Sequence, residues 1–362
     1  MAPTFRLREW FRARALLLLA LAAWAYGTSA APVASLWGLL AVWLLSYLGL
    51  GSFGYFVNDC FDIAQDLAAG KRNRVAFFSP LARAGIVLAL LALAFSPWAL
   101  LPWQPWVSAL LLVQALLLCV YAIPPFRLKS RAAGLVADAL YAFVLPAGIT
   151  VAAFGMAPAT HNALMLCALG CALFLTGLRN ILLHHLRDRE ADAVPGSDTY
   201  NLALRLPVAL LERRICTRLI PLELVCWLAA MLSLGREGAP AAAIAGIYLV
   251  QMVRKMNLTD PAWLNPLHDT WLPLALGGMM FFLHPATLWP LLLAFLPMVP
   301  WLLLFRLGRD VRNRAWLPVW LFVRYLLWDK CWHRGVLPLW YRILATPLGK
   351  PYYFLYNLLR RK

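Results

Sequence analysis

Charged residues are scarce in this chain of 362 residues: they make up 14% of it, whereas 63% of the residues are hydrophobic. A soluble domain of this length would need far more polar surface to cover its core. Long apolar runs recur through most of the sequence, and they predict an all-α, polytopic membrane protein. The scarcity of charge therefore argues against an ordinary soluble domain.

Paired cysteines are absent as well. None of the 7 cysteines stands in a CxxC pair, and most lie in or near apolar segments. Such cysteines are typical of small buried hydrophobic residues, so neither a disulfide framework nor a zinc site is expected. The sequence also lacks a visible internal repeat or a low-complexity linker, which favours one membrane domain.

Acidic residues are half as common as basic ones, 16 against 33, which leaves a net charge of +17. A balance this basic is also found in proteins that bind nucleic acid. Here the lysines and arginines fall between the apolar segments, which is the pattern that membrane insertion produces. We therefore expect the lipid bilayer as a partner, and no nucleic acid.

The apolar segments predict about ten spans of roughly the 20 residues that a bilayer requires. Loops after the even-numbered spans hold most of the lysines and arginines, whereas loops after the odd-numbered spans carry almost none. This asymmetry predicts that both termini are cytoplasmic, and we expect a bacterial inner membrane. The predicted spans are 15–31, 34–57, 84–101, 106–123, 133–154, 163–184, 219–235, 239–254, 268–284 and 286–305.

The C-terminal residues 306–362 alternate aromatic and apolar residues with arginine and lysine. This pattern predicts amphipathic helices on the cytoplasmic leaflet, and a docking surface for a partner is the alternative. The chain thus divides into a transmembrane domain over 1–305 and a basic cytoplasmic tail over 306–362.

Four acidic or amide residues, Asn58, Asp59, Asp62 and Asp66, follow the uncharged run 44–57. Carboxylates at such a depth are costly and usually mark a functional site. The spacings of three and four place the three aspartates on one helical face, where they repel each other unless a positive charge lies between them. Oxygen-only ligands suit Mg2+, which makes it the natural candidate.

A second acidic cluster lies at the cytoplasmic end of the sixth predicted span. Asp188 and Asp192 are four residues apart and share a helical face, whereas Glu190 points away. A single aspartate here would be interpreted as a solvated helix cap. Two clusters on the same side of the membrane instead favour two Mg2+ ions with a diphosphate bridging them.

Basic loops follow both the first cluster and the fourth span. Their cations suit diphosphate oxygens and the charge of a departing diphosphate, although the positive-inside rule alone would also place them there. Pro124-Pro125 ends the fourth span and stiffens the turn. Tyr121 faces either a developing cation or the membrane interface, and the interface is the commoner case. The candidate cations are Lys71, Arg74, Arg127 and Lys129.

Three ordered motifs resemble those of the UbiA-type intramembrane prenyltransferases, over about residues 10–260. The first is Asn58-Asp-x-x-Asp62-x-x-x-Asp66 with the basic run 71–74, the second is the tyrosine-to-lysine loop 121–129, and the third is Asp188-x-x-x-Asp192. The string 186–192 is most similar to the branch that prenylates 1,4-dihydroxy-2-naphthoate.

The resemblance implies nine membrane helices around a cavity that opens to lipid. It also implies Mg2+-dependent transfer of an isoprenoid chain from an allylic diphosphate to a lipophilic or aromatic acceptor. The implied metal ligands are Asn58, Asp59, Asp62, Asp66, Asp188 and Asp192. The implied diphosphate ligands are Lys71, Arg74, Arg127 and Lys129, with Arg14 or Arg12 from the first helix. The implied catalytic residues are Asp62, Asp188 and Tyr121.

The chain also departs from this pattern. His184 and His185 stand where the dihydroxynaphthoate branch has two asparagines. They are interpreted either as interfacial hydrogen-bonding residues or as acceptor-site or base residues. A transporter or flippase for an anionic lipid is the rival function, but it would place charges near mid-membrane in repeated halves.

Overall fold

The structure is a computed structural model that describes residues 7–29, 33–68, 70, 73–155, 163–193, 199–254, 261–265 and 267–295. Within these ranges the regular structure is helical and contains no strand, which confirms the predicted all-α class. The longer helices are α1 (Leu7–Gly27), α2 (Val33–Phe61), α3 (Pro80–Phe95), α4 (Pro105–Ala122), α5 (Ala133–Gly155), α6 (Ala163–Asp192), α7 (Val208–Ser233), α8 (Ala239–Arg254), α9 (Leu272–Leu283) and α10 (Pro285–Phe295).

Six of the described helices, α2 to α7, are long and apolar enough to cross a membrane. Parts of α1 and α8 form shorter apolar helices, Arg14–Gly27 and Ala239–Val253. The polytopic helical architecture is confirmed, and each predicted span overlaps one of the helices α1 to α10. The exact number of crossings stays a prediction, and the tail 306–362 lies outside the described residues.

Two helices extend well beyond their predicted spans. Helix α6 continues to Asp192 although its apolar run ends near 184, and α7 begins at Val208 instead of 219. The hydropathy pattern identifies only the part of a helix that is apolar enough for lipid, whereas the helix itself continues through the polar residues beyond that part. The second acidic cluster therefore lies on a continuous helix.

Prolines and a serine define where the helices near the first cluster begin and end. Helix α3 begins after Ser79, whose hydroxyl accepts a hydrogen bond of 3.2 Å from the Ala82 amide, with Pro80 in the first turn. Helix α4 ends at Ala122, just before the cis bond Pro124-Pro125. The predicted helix end at these prolines is confirmed.

Small residues let neighbouring helices approach closely, as is common between membrane helices. A Cβ on Gly49 of α2 would lie 2.7 Å from the Ala94 nitrogen of α3. A Cβ on Gly177 of α6 would lie 2.7 Å from the Cα of Ala139 in α5. Neither glycine can therefore be enlarged without moving backbone.

A buried ion pair joins α6 to α7. Arg179 and Glu223 are both 0% exposed, and the guanidinium donates to the carboxylate from Nε at 2.7 Å and from Nη2 at 3.0 Å. Thr176 donates to the same carboxylate at 2.8 Å, and Arg179 also contacts Asn265 and His268 before α9. This pair was not predicted from the sequence, although a charged residue inside an apolar span is itself a signal.

Candidate functional site

Both acidic clusters line one cavity of about 660 Å³. Asn58 and Asp62 reach it from the end of α2, and Asp188 and Asp192 reach it from the last turns of α6. Four oxygen-donor side chains that are far apart in sequence therefore face a common space. Among the described residues, the cavity wall does not include Asp59, Asp66, Arg74 or Arg127.

The first cluster is divided by a bend at Asp62. Helix α2 ends at Phe61, and a short helix, Ile63–Ala68, follows the bend. The spacing of three and four predicted one continuous face, but the helical period is interrupted here, so Asp62 faces the cavity without Asp59 and Asp66.

Two cations already neutralise Asp62. Lys129 donates from Nζ to Asp62 and, at 2.9 Å, to Asn58 Oδ1. Arg127 donates from Nη2 to Asp62 Oδ1 at 3.0 Å and to Gln65 Oε1 at 3.1 Å. The positive charge that the sequence argument required beside the carboxylates thus comes from side chains of the loop after α4.

That loop is shaped to direct Lys129 inward. Arg127 has a φ of 35°, in the left-handed region that a non-glycine residue adopts at some energetic cost, and a single 3-10 turn, Leu128–Ser130, follows. A Cβ on Gly134 would lie 2.6 Å from the Leu128 oxygen, so this close return requires glycine. Lys129 is buried and lines the cavity.

The other predicted diphosphate ligands differ in position. Arg74 is exposed, and Lys71 lies outside the described residues. Arg14 lines the cavity with its guanidinium 5.2 Å above the Phe143 ring, whereas nothing is described of the Arg12 side chain. Arg131 and Arg187 were not predicted to belong to the site, yet both line the cavity. Their proximity in sequence to Lys129 and Asp188 was the available signal.

The second cluster lies beside the histidine pair. His184 Nε2 is 3.4 Å from Asp188 Oδ2, one helical turn away. His185 accepts a hydrogen bond of 3.2 Å at Nδ1 from the Leu202 amide, which leaves the ring proton on Nε2. Both rings line the cavity. His185 thus has a hydrogen-bonding role, as one of the two interpretations stated; a base or acceptor role stays a hypothesis.

The segment 199–201 links the two clusters. Thr199 Oγ1 accepts from Gln65 Nε2 at 3.3 Å, and the Tyr200 amide donates to the Lys129 carbonyl at 2.9 Å. Asn201 donates to Asp192 Oδ2 at 2.8 Å. The second cluster is therefore held to the first through backbone and side-chain hydrogen bonds.

Tyr121 lines the cavity, and its ring meets the edge of the Tyr141 ring at 5.0 Å and 71°. Tyr141 in turn donates its hydroxyl hydrogen to Asp138. The membrane-interface interpretation of Tyr121 does not describe this position, because the side chain faces the cavity. Asp138 was missed, although an acidic residue inside the apolar segment 133–154 was a signal.

The cavity extends from the polar clusters into an apolar end. Trp43 lies about 22 Å along α2 from Asn58, at 1.5 Å per residue, and it too lines the cavity. Its indole nitrogen donates to Thr150 at 3.0 Å, so its polar atom is satisfied. Leu50, Leu111 and Ile149 share this wall. The shape suits an elongated molecule with a charged head and an apolar body.

The donor set fits Mg2+ in chemical kind. Within the described residues, no group of three His, Cys, Asp or Glu side chains forms a metal site by itself. Mg2+ commonly takes one or two carboxylates and completes its shell with phosphate oxygens and water. Asn58 with Asp62, and Asp188 with Asp192, offer oxygens of this type, so the residues fit Mg2+ that is shared with a diphosphate.

No protein-family model matches the chain, and no curated protein sequence matches it. Solved structures do match it. A UbiA homolog from Archaeoglobus fulgidus bound to GPP and Mg2+ is 18% identical over 76% of this chain and 99% of that chain, with a TM-score of 0.50. The same homolog bound to Cd2+ is 19% identical over 76% and 99%, also with a TM-score of 0.50.

A digeranylgeranylglyceryl phosphate synthase in membranes is 13% identical over 78% of this chain and 97% of that chain, with a TM-score of 0.51. At these identities the likeness shows the fold. The chain has the polytopic helical fold of the UbiA homologs, as the motif resemblance implied. The dihydroxynaphthoate branch stays a prediction.

Proposed function

We propose that this protein is a prenyltransferase that moves an isoprenoid chain from an allylic prenyl diphosphate to a lipophilic or aromatic acceptor in the membrane, with Mg2+. The observation that carries the proposal is the shared cavity, in which residues of two carboxylate clusters and Lys129 line a chamber that also reaches Trp43, Leu50, Leu111 and Ile149. The A. fulgidus homolog with this fold binds GPP and Mg2+, which supports it.

The diphosphate would lie between the two clusters, against three cations of the cavity wall. Lys129, Arg131 and Arg187 would donate hydrogen bonds to its oxygens and stabilise the charge that grows as the carbon–oxygen bond breaks. Mg2+ bound by the two clusters would supply further stabilisation of that charge as a Lewis acid. Lys129 would exchange its contacts with Asn58 and Asp62 for this anion.

The apolar end would hold the isoprenoid chain and exclude water from the cation-like allylic carbon. The Tyr121 ring, which faces the cavity, would offer its π electrons to that carbon. An electron-rich carbon or oxygen of the acceptor would then form the bond to the allylic carbon and lose its proton to the released diphosphate or to water. The string 186–192 favours an aromatic acceptor of the dihydroxynaphthoate type, whereas the histidines at 184 and 185 stand where that branch has two asparagines, which leaves the acceptor open. We place the site on the cytoplasmic side.

The test is an assay of the purified protein with labelled farnesyl, geranylgeranyl and longer diphosphates against a panel of acceptors, with and without Mg2+. We expect diphosphate release that EDTA abolishes and added Mg2+ restores. Neither transfer nor diphosphate release from any donor would overturn the proposal. Movement of an anionic lipid across vesicles without diphosphate release would instead support the flippase alternative.

Variants locate the reaction in the cavity. Asp62→Asn and Asp188→Asn each remove one carboxylate from the wall, and we expect each to abolish transfer while the protein stays folded. Glu237→Gln makes the same chemical change in the loop between α7 and α8, away from the cavity, and serves as the matched control. Full Mg2+-dependent activity in both aspartate variants would contradict the two-cluster arrangement.

A further inference from the structure

Each acidic cluster is followed by a buried asparagine. Asn73 is 4% exposed and Asn201 is 2% exposed. A buried amide must satisfy both its NH2 group and its oxygen with partners inside the protein. The two asparagines have partners of the same three kinds: a carboxylate, a backbone carbonyl and a backbone amide.

Asn73 connects three points around the first cluster. Its Nδ2 donates to Asp66 Oδ2 at 2.9 Å and to the Asp59 carbonyl at 2.8 Å. Its Oδ1 accepts from the Val75 amide at 2.9 Å, which closes a tight turn of the asparagine on its own backbone. The amide therefore bridges both sides of the bend at Asp62.

Asn201 makes the same three bonds around the second cluster. Its Nδ2 donates to Asp192 Oδ2 at 2.8 Å and to the His185 carbonyl at 3.0 Å. Its Oδ1 accepts from the Ala203 amide at 2.8 Å, again two residues further along the chain. This amide bridges the turns of α6 on either side of Asp188.

The register of the two arrangements is identical. The bonded carbonyl stands seven residues before the bonded carboxylate in each case, at Asp59 and Asp66 and at His185 and Asp192. The central aspartate, Asp62 or Asp188, stands three residues after that carbonyl. The residue four before the central aspartate contacts it in both clusters: Asn58 Nδ2 donates to Asp62 at 2.8 Å, and His184 Nε2 lies 3.4 Å from Asp188.

We propose that Asn73 and Asn201 are matched positioning residues. Each holds the last carboxylate of its cluster and the eight-residue segment, 59–66 or 185–192, that carries the central aspartate. The amide engages one oxygen of Asp66 or Asp192; Asp192 lines the cavity itself, whereas Asp66 would act through the position of Asp62. The idea rests on the proposed function, because it treats the clusters as magnesium ligands. Hydrogen-bond partners of metal ligands typically change metal affinity 10- to 100-fold when they are removed.

The test compares Asn73→Ala and Asn201→Ala with Gln104→Ala, which removes an amide that makes no side-chain cap hydrogen bond at the start of α4. For each purified variant, the Mg2+ concentration that half-saturates diphosphate release is measured. Mn2+ binding is measured separately by electron paramagnetic resonance in the presence of geranyl S-thiolodiphosphate, an analogue that does not react.

We expect both asparagine variants to raise the half-saturating Mg2+ concentration and to weaken Mn2+ binding about 10- to 100-fold, with kcat restored at saturating Mg2+. Gln104→Ala should leave both values unchanged. A role in folding alone would lower kcat and the melting temperature while the half-saturating concentration stays the same, and that result would overturn the inference. A shift at only one of the two positions would overturn the equivalence.

Asn73→Asp and Asn201→Asp separate two effects of the amide. One is the turn that its oxygen closes, and the other is the hydrogen bond from its nitrogen to Asp66 or Asp192. An aspartate keeps the oxygen that accepts from Val75 or Ala203, but it places a second carboxylate oxygen against Asp66 or Asp192. We expect these variants to recover the melting temperature lost in the alanine variants and to keep the weakened Mn2+ binding. Recovery of both, or tighter Mn2+ binding than in the unmodified protein, would overturn the inference. Absent Mn2+ binding in the unmodified protein would contradict the proposed function itself.

Discussion

Replacing Glu223 with glutamine is expected to destabilise the protein by about 3–5 kcal/mol, because it leaves the Arg179 guanidinium buried without its counter-charge. Both side chains are 0% exposed, and the two hydrogen bonds between them measure 2.7 Å and 3.0 Å. A folded protein has a total stability of only about 5–15 kcal/mol. The variant should therefore lose a large part of its resistance to unfolding.

The double variant Arg179→Met with Glu223→Leu should be more stable than Glu223→Gln. It removes both charges together, an exchange that is often neutral in other proteins. In this protein it also removes the hydrogen bonds of Arg179 to Asn265 and His268 and of Thr176 to Glu223. At about 1 kcal/mol each, these losses predict a net cost of about 3 kcal/mol, at the lower end of the range expected for Glu223→Gln.

The assay is reversible unfolding in mixed micelles with increasing dodecyl sulfate, followed by circular dichroism. Arg236→Met removes an exposed arginine from the loop after α7 and should stay within about 0.5 kcal/mol of the unmodified protein. A double variant no more stable than Glu223→Gln would refute the reasoning that an uncompensated charge dominates the cost.

Two further predictions concern the cavity and its walls. Under the proposed function, Lys129→Met should raise the KM for the prenyl diphosphate and lower kcat, because the ammonium that would face the diphosphate is lost. Lys129→Arg should retain more activity, and equal loss in both would contradict a role of charge. Gly177→Ala should destabilise the protein by about 1–3 kcal/mol, since its Cβ would lie 2.7 Å from the Cα of Ala139, whereas Gly170→Ala meets nothing within 4 Å and serves as the control in the same unfolding assay.

The sequence was sufficient to predict the helical membrane class, the approximate position of each helix and four of the oxygen-donor residues that line the cavity, namely Asn58, Asp62, Asp188 and Asp192. These features follow from local patterns, namely apolar runs, spacing within one helix and charge in loops. Arg127 and Lys129 of the loop after α4 were also predicted to belong to the site, but their contacts with Asp62 were not predicted. Whether Arg127 binds Asp62 depends on the path of the loop, which the left-handed conformation of Arg127 and the two prolines before it determine.

Arg179, Asn73 and Asn201 were missed because the side chains that they contact lie seven or more residues away in the chain. Arg179 of α6 contacts Glu223 of α7 and Asn265 before α9 because these parts of the chain pack together. The periodicity of α6 alone does not predict these contacts. Asn73 follows its carboxylate by seven residues, whereas Asn201 follows its own by nine. A motif of fixed spacing therefore does not detect that they are equivalent, although their hydrogen bonds are.

The close contact between α2 and α3 has a consequence for how this protein tolerates mutation. On the side away from α2, α3 exposes large apolar side chains, with Leu81 85% and Leu88 68% exposed, and lipid chains accept any apolar residue there. Gly49 has no such freedom, because a single added carbon would meet the backbone of Ala94. A saturation library should therefore accept many apolar residues at positions 81 and 88 and only glycine at 49. Where α2 and α3 touch, only glycine fits at position 49. Over its exposed surface, α3 needs only to be apolar enough for lipid.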